Sequence, residues 1–249
     1  MTPGADYLEK CRELVDNALG QADAIQEAAD WFAATILAER MVHLFGSGHS
    51  RIMVEEMWPR YGSFPGFNPI VELSLTFHNP VVGANGQRQA MFLENTPGLG
   101  KRILRNYDLS ADDSSLVASS SGCNVVPIEI AQEFQRRGVK VVALISRRHS
   151  EASSSRHESG KKLQDFADLV LDTGAPIGDA MIAIDGMDTP VSPASTVGGG
   201  LIVDARKAPG GARLGRKGIN VEKKNTGVNK IRVKYKGGPP PRPGGGGGK

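Results

Sequence analysis

Two short stretches concentrate the residues able to do chemistry. Gly46-Ser47-Gly48-His49-Ser50 and Ser119-Ser120-Ser121-Gly122-Cys123-Asn124 each combine hydroxyls with glycine. Glycine lets the backbone approach a ligand closely, and hydroxyls donate directly to phosphate oxygens. Where such a loop ends a strand and opens a helix, free backbone N–H groups and the helix dipole favour an anion, and phosphate is the guest that suits both loops. Serine and glycine also make ordinary turns and N-caps. The recurrence of the pattern after two separate apolar runs favours the functional reading.

Other chemistries fail on spacing. Gly46-Ser47-Gly48 lacks the third glycine of a dinucleotide fingerprint, and neither loop continues into a Gly-Lys-Ser/Thr phosphate motif. Gly48-His49-Ser50-Arg51-Ile52 lacks the last glycine of a nucleophile elbow. With no His-x-x-x-His or Cys-x-x-Cys pair, no metal and no cofactor is expected.

The elements that must position these loops follow from periodicity. From Tyr7 the positions Leu8, Cys11, Val15, Ala18, Ala22, Ile25, Ala29, Phe32 and Ile36 recur every three or four residues, which predicts one long amphipathic helix ending near Arg40. Met41 to Phe45 reads as a buried strand, followed by the first loop and a helix to about Trp58. Pro59, Gly62, Pro65, Gly66 and Pro69 interrupt any pattern, so residues 59–100 are expected to be irregular or to carry short elements. A second unit comprises a strand at 115–118, the second loop, and a helix from Val126 to Arg137 stopped by Gly138. Val139 to Ile145 is a buried strand, Lys161 to Ala167 reads as helix, Asp168 to Leu171 as strand, and Ala180 to Ile184 as an apolar segment of open type. Strands alternating with helices predict an α/β fold, three layers with a central parallel sheet.

A chain of 249 residues with 39% hydrophobic content can bury one main core. No stretch of 18 apolar residues occurs and the N-terminus lacks the regions of a signal peptide, so no membrane association is expected. Two cysteines, Cys11 and Cys123, fit a reducing, cytoplasmic setting. The formal charge of +3 averages two unlike pieces: residues 206–249 carry 13 Lys or Arg against one acid, and residues 1–205 carry 17 against 26. An acidic body argues against nucleic acid as a partner. The glycine- and proline-rich end predicts a domain at 1–207 and a disordered basic tail at 208–249.

Strand–GSGHS–helix, then strand–SSSGCN–helix, then a strand ending at Ile145-Ser146, together resemble the sugar isomerase (SIS) domain of phosphosugar isomerases and phosphosugar-binding proteins. Ser146-Arg147-Arg148-His149-Ser150, Ser155-Arg156-His157 and Asp172-Thr173-Gly174-Ala175-Pro176 are similar to loops of a single-domain subgroup. The likeness spans about residues 5–197. It implies a flavodoxin-like fold, a sugar phosphate as ligand, and a homodimer or homotetramer. It also implies phosphate contacts from Ser47, Gly48, Ser119, Ser120, Ser121, Gly122 and Asn124. Isomerisation through an enediol, or a related elimination, needs a base, and a carboxylate of raised pKa suits that task. Glu56 is favoured by the resemblance, with its neighbour Glu55 about 100° away on the same helix as the alternative. His49 and His157, and after them His149, are candidate proton shuttles. The competing reading is a non-catalytic sugar-phosphate sensor. Asn220-Val221-Glu222 stands where the resemblance implies a substrate loop, but its surroundings depart from that pattern.

Overall fold

Apolar runs form the three central strands, buried on both faces as a parallel sheet requires. In a computed structural model, which describes residues 2–58, 62–76 and 88–217, the five strands are β1 (Val42–Gly46), β2 (Phe67–Ile70), β3 (Ser114–Ala118), β4 (Lys140–Ile145) and β5 (Leu169–Asp172). They form one all-parallel sheet in the order β2-β1-β3-β4-β5, the flavodoxin-like order. The helices are α1 (Pro3–Leu19), α2 (Ala22–Leu37), α3 (Arg51–Met57), α4 (Arg88–Leu93), α5 (Leu99–Leu104), α6 (Val125–Arg136), α7 (Arg147–Glu151), α8 (Ser195–Ala205) and α9 (Lys207–Arg216).

Alternate strand residues face opposite layers. Val42, Leu44, Leu116, Val142 and Leu144 pack with α2, α3, α8 and α9. Phe45, Val117, Val141, Ala143 and Ile145 pack with α5 and α6. The three-layer expectation therefore holds. The chain leaves β1 for the edge strand β2 and returns to β3 on the other side of β1, so the loops after β1 and β3 diverge from adjacent strand ends. Gly46 pairs with Ala118, and Ala118 with Leu144. A crevice at such a switch point is where ligands bind in open α/β sheets.

Three expectations change. The long N-terminal helix is two, broken at Gly20-Gln21. The break frees the Gln21 side chain to bond both the carbonyl (2.8 Å) and the N–H (2.7 Å) of Asp172 at the end of β5, with Asn17 donating to the same carbonyl at 2.8 Å. The region after Pro59 carries short elements as expected, β2 and the helices α4 and α5, too brief to show a period. Lys161 to Ala167 narrows to a 3₁₀ turn at Leu163–Phe166, and Ile182 of the apolar segment makes an isolated antiparallel bridge to Val191.

The third change concerns residues 208–216, placed in the tail on composition: they belong to α9, which packs on α2. Leu214 is 1% exposed and Arg213 pairs with Asp30. Arg206, between α8 and α9, is fully buried with its guanidinium over the rings of Phe32 (4.6 Å) and Phe67 (5.2 Å), and burial pushes its pKa down to about 9. Residues 218–249, including Asn220-Val221-Glu222, lie outside the described residues, as does Pro59.

Candidate functional site

Both serine loops leave the sheet at its C-terminal edge and turn sharply into helices. At Gly46 a Cβ would stand 2.6 Å from the Ser50 carbonyl oxygen, so only glycine lets the first loop fold back this tightly. In the second loop Ser119 N–H donates to Leu144 O, Gly122 N–H to Ser119 O, and Ser120 O accepts from Ser146 N–H. Asn124 stands at the N-cap of α6, yet its side chain caps nothing. Its Oδ1 accepts instead from the Arg156 guanidinium.

Between the loops lies a cavity of about 200 Å³ lined by Ser47, Gly48, His49, Ser119, Ser120, Ser121 and Asn124. Glu94, His149, Thr173, Asp179, Ser195 and Thr196 line it as well. Most of the polar residues drawn from the sequence are thus brought together. Ser120 Oγ is buried with no hydrogen-bond partner among the described residues, a donor free for a ligand oxygen.

The buried carboxylate lining this cavity is Glu94, which follows α4 and was not singled out in the sequence. It is 9% exposed, and its Oε2 accepts from Ser47 Oγ at 2.7 Å. Burial pushes its pKa above the ordinary carboxyl value, while the Ser47 hydroxyl, the Asn124 side chain and the Arg156 charge pull against that rise. Its backbone is held too: Glu94 O accepts from Val126 N–H at 2.9 Å. Downstream, Gly98 and Gly100 N–H donate to the buried carboxylate of Glu129 at 2.6 and 2.9 Å. Glu129 thus ties the start of α5 to α6 and is not a cavity residue.

The favoured acids stand elsewhere. α3 carries its second turn away from the loop, and Glu56 faces the α8–α9 junction, where its Oε1 takes Lys207 Nζ at 2.9 Å. Glu55 is exposed and pairs with Arg51 one turn back. Neither lines the cavity. His157 also lies outside it, in a surface loop with its Nδ1 2.8 Å from Ser159 Oγ.

His149 does reach the cavity, since Ser146 Oγ accepts its N–H at 3.1 Å and Gly178 N–H donates to its Nδ1 at 3.0 Å. Asp179 holds the start of α8 by accepting from Ala194 N–H (3.1 Å), Ser195 N–H (2.7 Å) and Ser195 Oγ (2.6 Å). Cys123 is no activated thiol: burial pushes its pKa up. Among the described residues no group of three His, Cys, Asp or Glu side chains is placed to hold a metal ion. No helix among them is long and apolar enough to cross a membrane.

A parallel α/β sheet with two serine loops at its switch point defines a ligand-binding domain of the doubly wound class. The SIS domain family matches residues 6–146, and the chain belongs to it. A UPF0309 protein of Listeria innocua is 34% identical over 201 residues, covering 80% of this chain and 79% of that one. Another, from Thermoanaerobacter pseudethanolicus, is 36% identical over 197 residues, with 77% of each chain covered. Among solved structures, phosphoheptose isomerase GmhA from Neisseria gonorrhoeae shares the fold, with a TM-score of 0.50 at 14% identity over 82% of this chain and 95% of that one.

Proposed function

We propose that the cavity binds a phosphorylated sugar and isomerises it by proton transfer between adjacent carbons, with Glu94 as the base. The observation that carries this reading is a buried carboxylate of raised pKa placed between two serine loops. A base poised above the ordinary carboxyl range takes a proton from the carbon next to a carbonyl more readily than a solvated one. Ser119, Ser120, Ser121 and the N-terminal end of α6 form the phosphate cradle, and the unpartnered Ser120 hydroxyl supplies a donor there. The family supports the same ligand class, and the neisserial protein of this fold is named for isomerising a phosphorylated sugar.

The chemistry needs no partner beyond the chain's own groups. Glu94 accepts the proton, the electron pair moves onto the carbonyl oxygen, the neighbouring hydroxyl proton passes to that oxygen, and Glu94 returns its proton to the adjacent carbon. The test has two stages. Thermal shift against sugars and their phosphates should show stabilisation by phosphates alone, because only they gain charge-assisted bonds. The best ligand, incubated with protein in deuterated water, should then take up deuterium at the carbon beside its carbonyl. Binding without exchange would leave a sensor rather than an isomerase.

A further inference from the structure

Among the described residues no lysine or arginine lines the cavity, and within that set the charge around Glu94 is set from behind its immediate neighbours. The Arg156 guanidinium reaches that layer. Arg156 donates to Asn124 Oδ1, and its backbone N–H donates to Cys123 O at 2.9 Å, which fixes its segment against the second loop. A guanidinium only donates, so the amide atom facing it must be the oxygen. The amide nitrogen is then left for the cavity side. There the Glu94 carboxylate, already accepting from Ser47 Oγ, can take a further donor.

We propose that Arg156 is a positioning residue: by holding Asn124 Oδ1 it presents the Asn124 NH₂ group to Glu94, and so sets the orientation and the ionisation of that carboxylate. Asn124 is on this account a relay as well as a wall of the phosphate cradle. Without Arg156 the amide is free to turn its oxygen towards Glu94. Two acceptors would then oppose each other, and the carboxyl would keep its proton to higher pH. The pull that Asn124 and Arg156 exert against the burial-driven rise at Glu94 agrees with this. The other titratable groups lining the cavity do not replace the relay. Asp179 is committed to the start of α8 and His149 Nδ1 to Gly178, and His49 is retained in every variant below. The role rests on Glu94 as the proton-transferring group, but its test does not depend on turnover.

The experiment is a carbon-13 titration of the full chain labelled at glutamate side-chain carboxyls, with the Glu94 signal assigned by its loss in Glu94→Gln. Arg156→Met keeps the stem and removes the donor. It should raise the Glu94 midpoint by roughly half a pH unit or more, the effect of losing a hydrogen bond to the charged form. Arg156→Lys, which restores charge and one donor, should return most of it. Arg156 is exposed, so the melting temperature should stay put, whereas a merely structural role would lower it and leave the midpoint alone. In an Asn124→Ala background Arg156→Met should have little further effect, because coupled residues are not additive. An unchanged midpoint in Arg156→Met, or an equal rise with and without Asn124, overturns the relay. A midpoint that moves in a protein showing no deuterium exchange with any bound phosphate would uphold the relay and remove the isomerase reading.

Discussion

A carboxylate taken out of water holds its proton more strongly and makes a better base once it loses it. Glu94 meets that condition through burial, with Ser47 as its hydrogen-bond donor. Glu94→Gln preserves shape and removes basicity, so turnover of a sugar phosphate should fall roughly a hundredfold or more, with phosphate affinity little changed. Ser121→Ala should do the reverse, weakening binding measured by calorimetry. The contrast is Glu56→Gln. It loosens the contact to Lys207, which keeps Asp204 as a second partner, so turnover should be unaffected. A large loss of rate in Glu56→Gln would return the base to α3. The serine loops were legible in the sequence because each follows a buried apolar run. Glu94 was not, because Leu93-Glu94-Asn95-Thr96 carries no motif and only the fold brings it to Ser47, 47 positions earlier. Glu55 and Glu56 lie close to the loop in sequence, but one helical turn suffices to carry them out of the cavity.

At the scale of elements, the strand–loop–helix units were readable since their strands are buried on both faces and long enough to declare a type, while β2, α4 and α5 are four to six residues each and follow no period. Gly210, Gly211 and Gly215 misled at the C-terminal end, since they lie within α9. Gly198 and Gly199 mark no loosening of the chain, because a Cβ on Gly198 would stand 1.9 Å from the Thr173 carbonyl oxygen. The glycine is there so that α8 can lie against the turn after β5. Gly198→Ala should therefore push α8 away, costing about 1–3 kcal/mol in urea unfolding. Because Ser195 and Thr196 open this helix and line the cavity, the ligand-induced thermal shift should shrink as well. A Gly198→Ala protein as stable and as responsive as the parent would show that α8 is not seated there. α9 makes a similar claim: Leu214→Ala, a truncation in a buried site, should cost about 2–5 kcal/mol, an effect a disordered tail could not produce.

The whole molecule has two working ends on one sheet. The cavity occupies the C-terminal edge, and a buried polar clasp closes the other, where Asp113 precedes β3. Its carboxylate accepts from Arg40 Nε and Nη2 (both 2.9 Å), Met41 N–H (3.3 Å) and Ser110 N–H (2.8 Å). His43 Nε2 lies 3.3 Å away, with its Nδ1 accepting from Asn68 Nδ2 at 3.0 Å. The clasp thus joins the end of α2, β1, β2 and the approach to β3. Burial pushes the Asp113 carboxyl up, but the adjacent His43 ring and the hydrogen bonds from Arg40 and Ser110 outweigh it and hold the pKa at about 2, against an ordinary 3.8. A carboxyl whose folded pKa is depressed adds stability that is fully present above its unfolded value and is lost as pH falls through the folded one. The native state should therefore lose about 2 kcal/mol between roughly pH 5 and pH 2 from this group alone. Asp113→Asn should be less stable than the parent at pH 7, and the gap measured by urea unfolding should narrow steadily as both are taken to pH 2. Since the clasp and the cavity lie at opposite ends of the strands, the variant should still bind its sugar phosphate at pH 7 wherever it remains folded. A stability gap that stays constant from pH 7 to pH 2 would show that Asp113 acts by packing and not by charge.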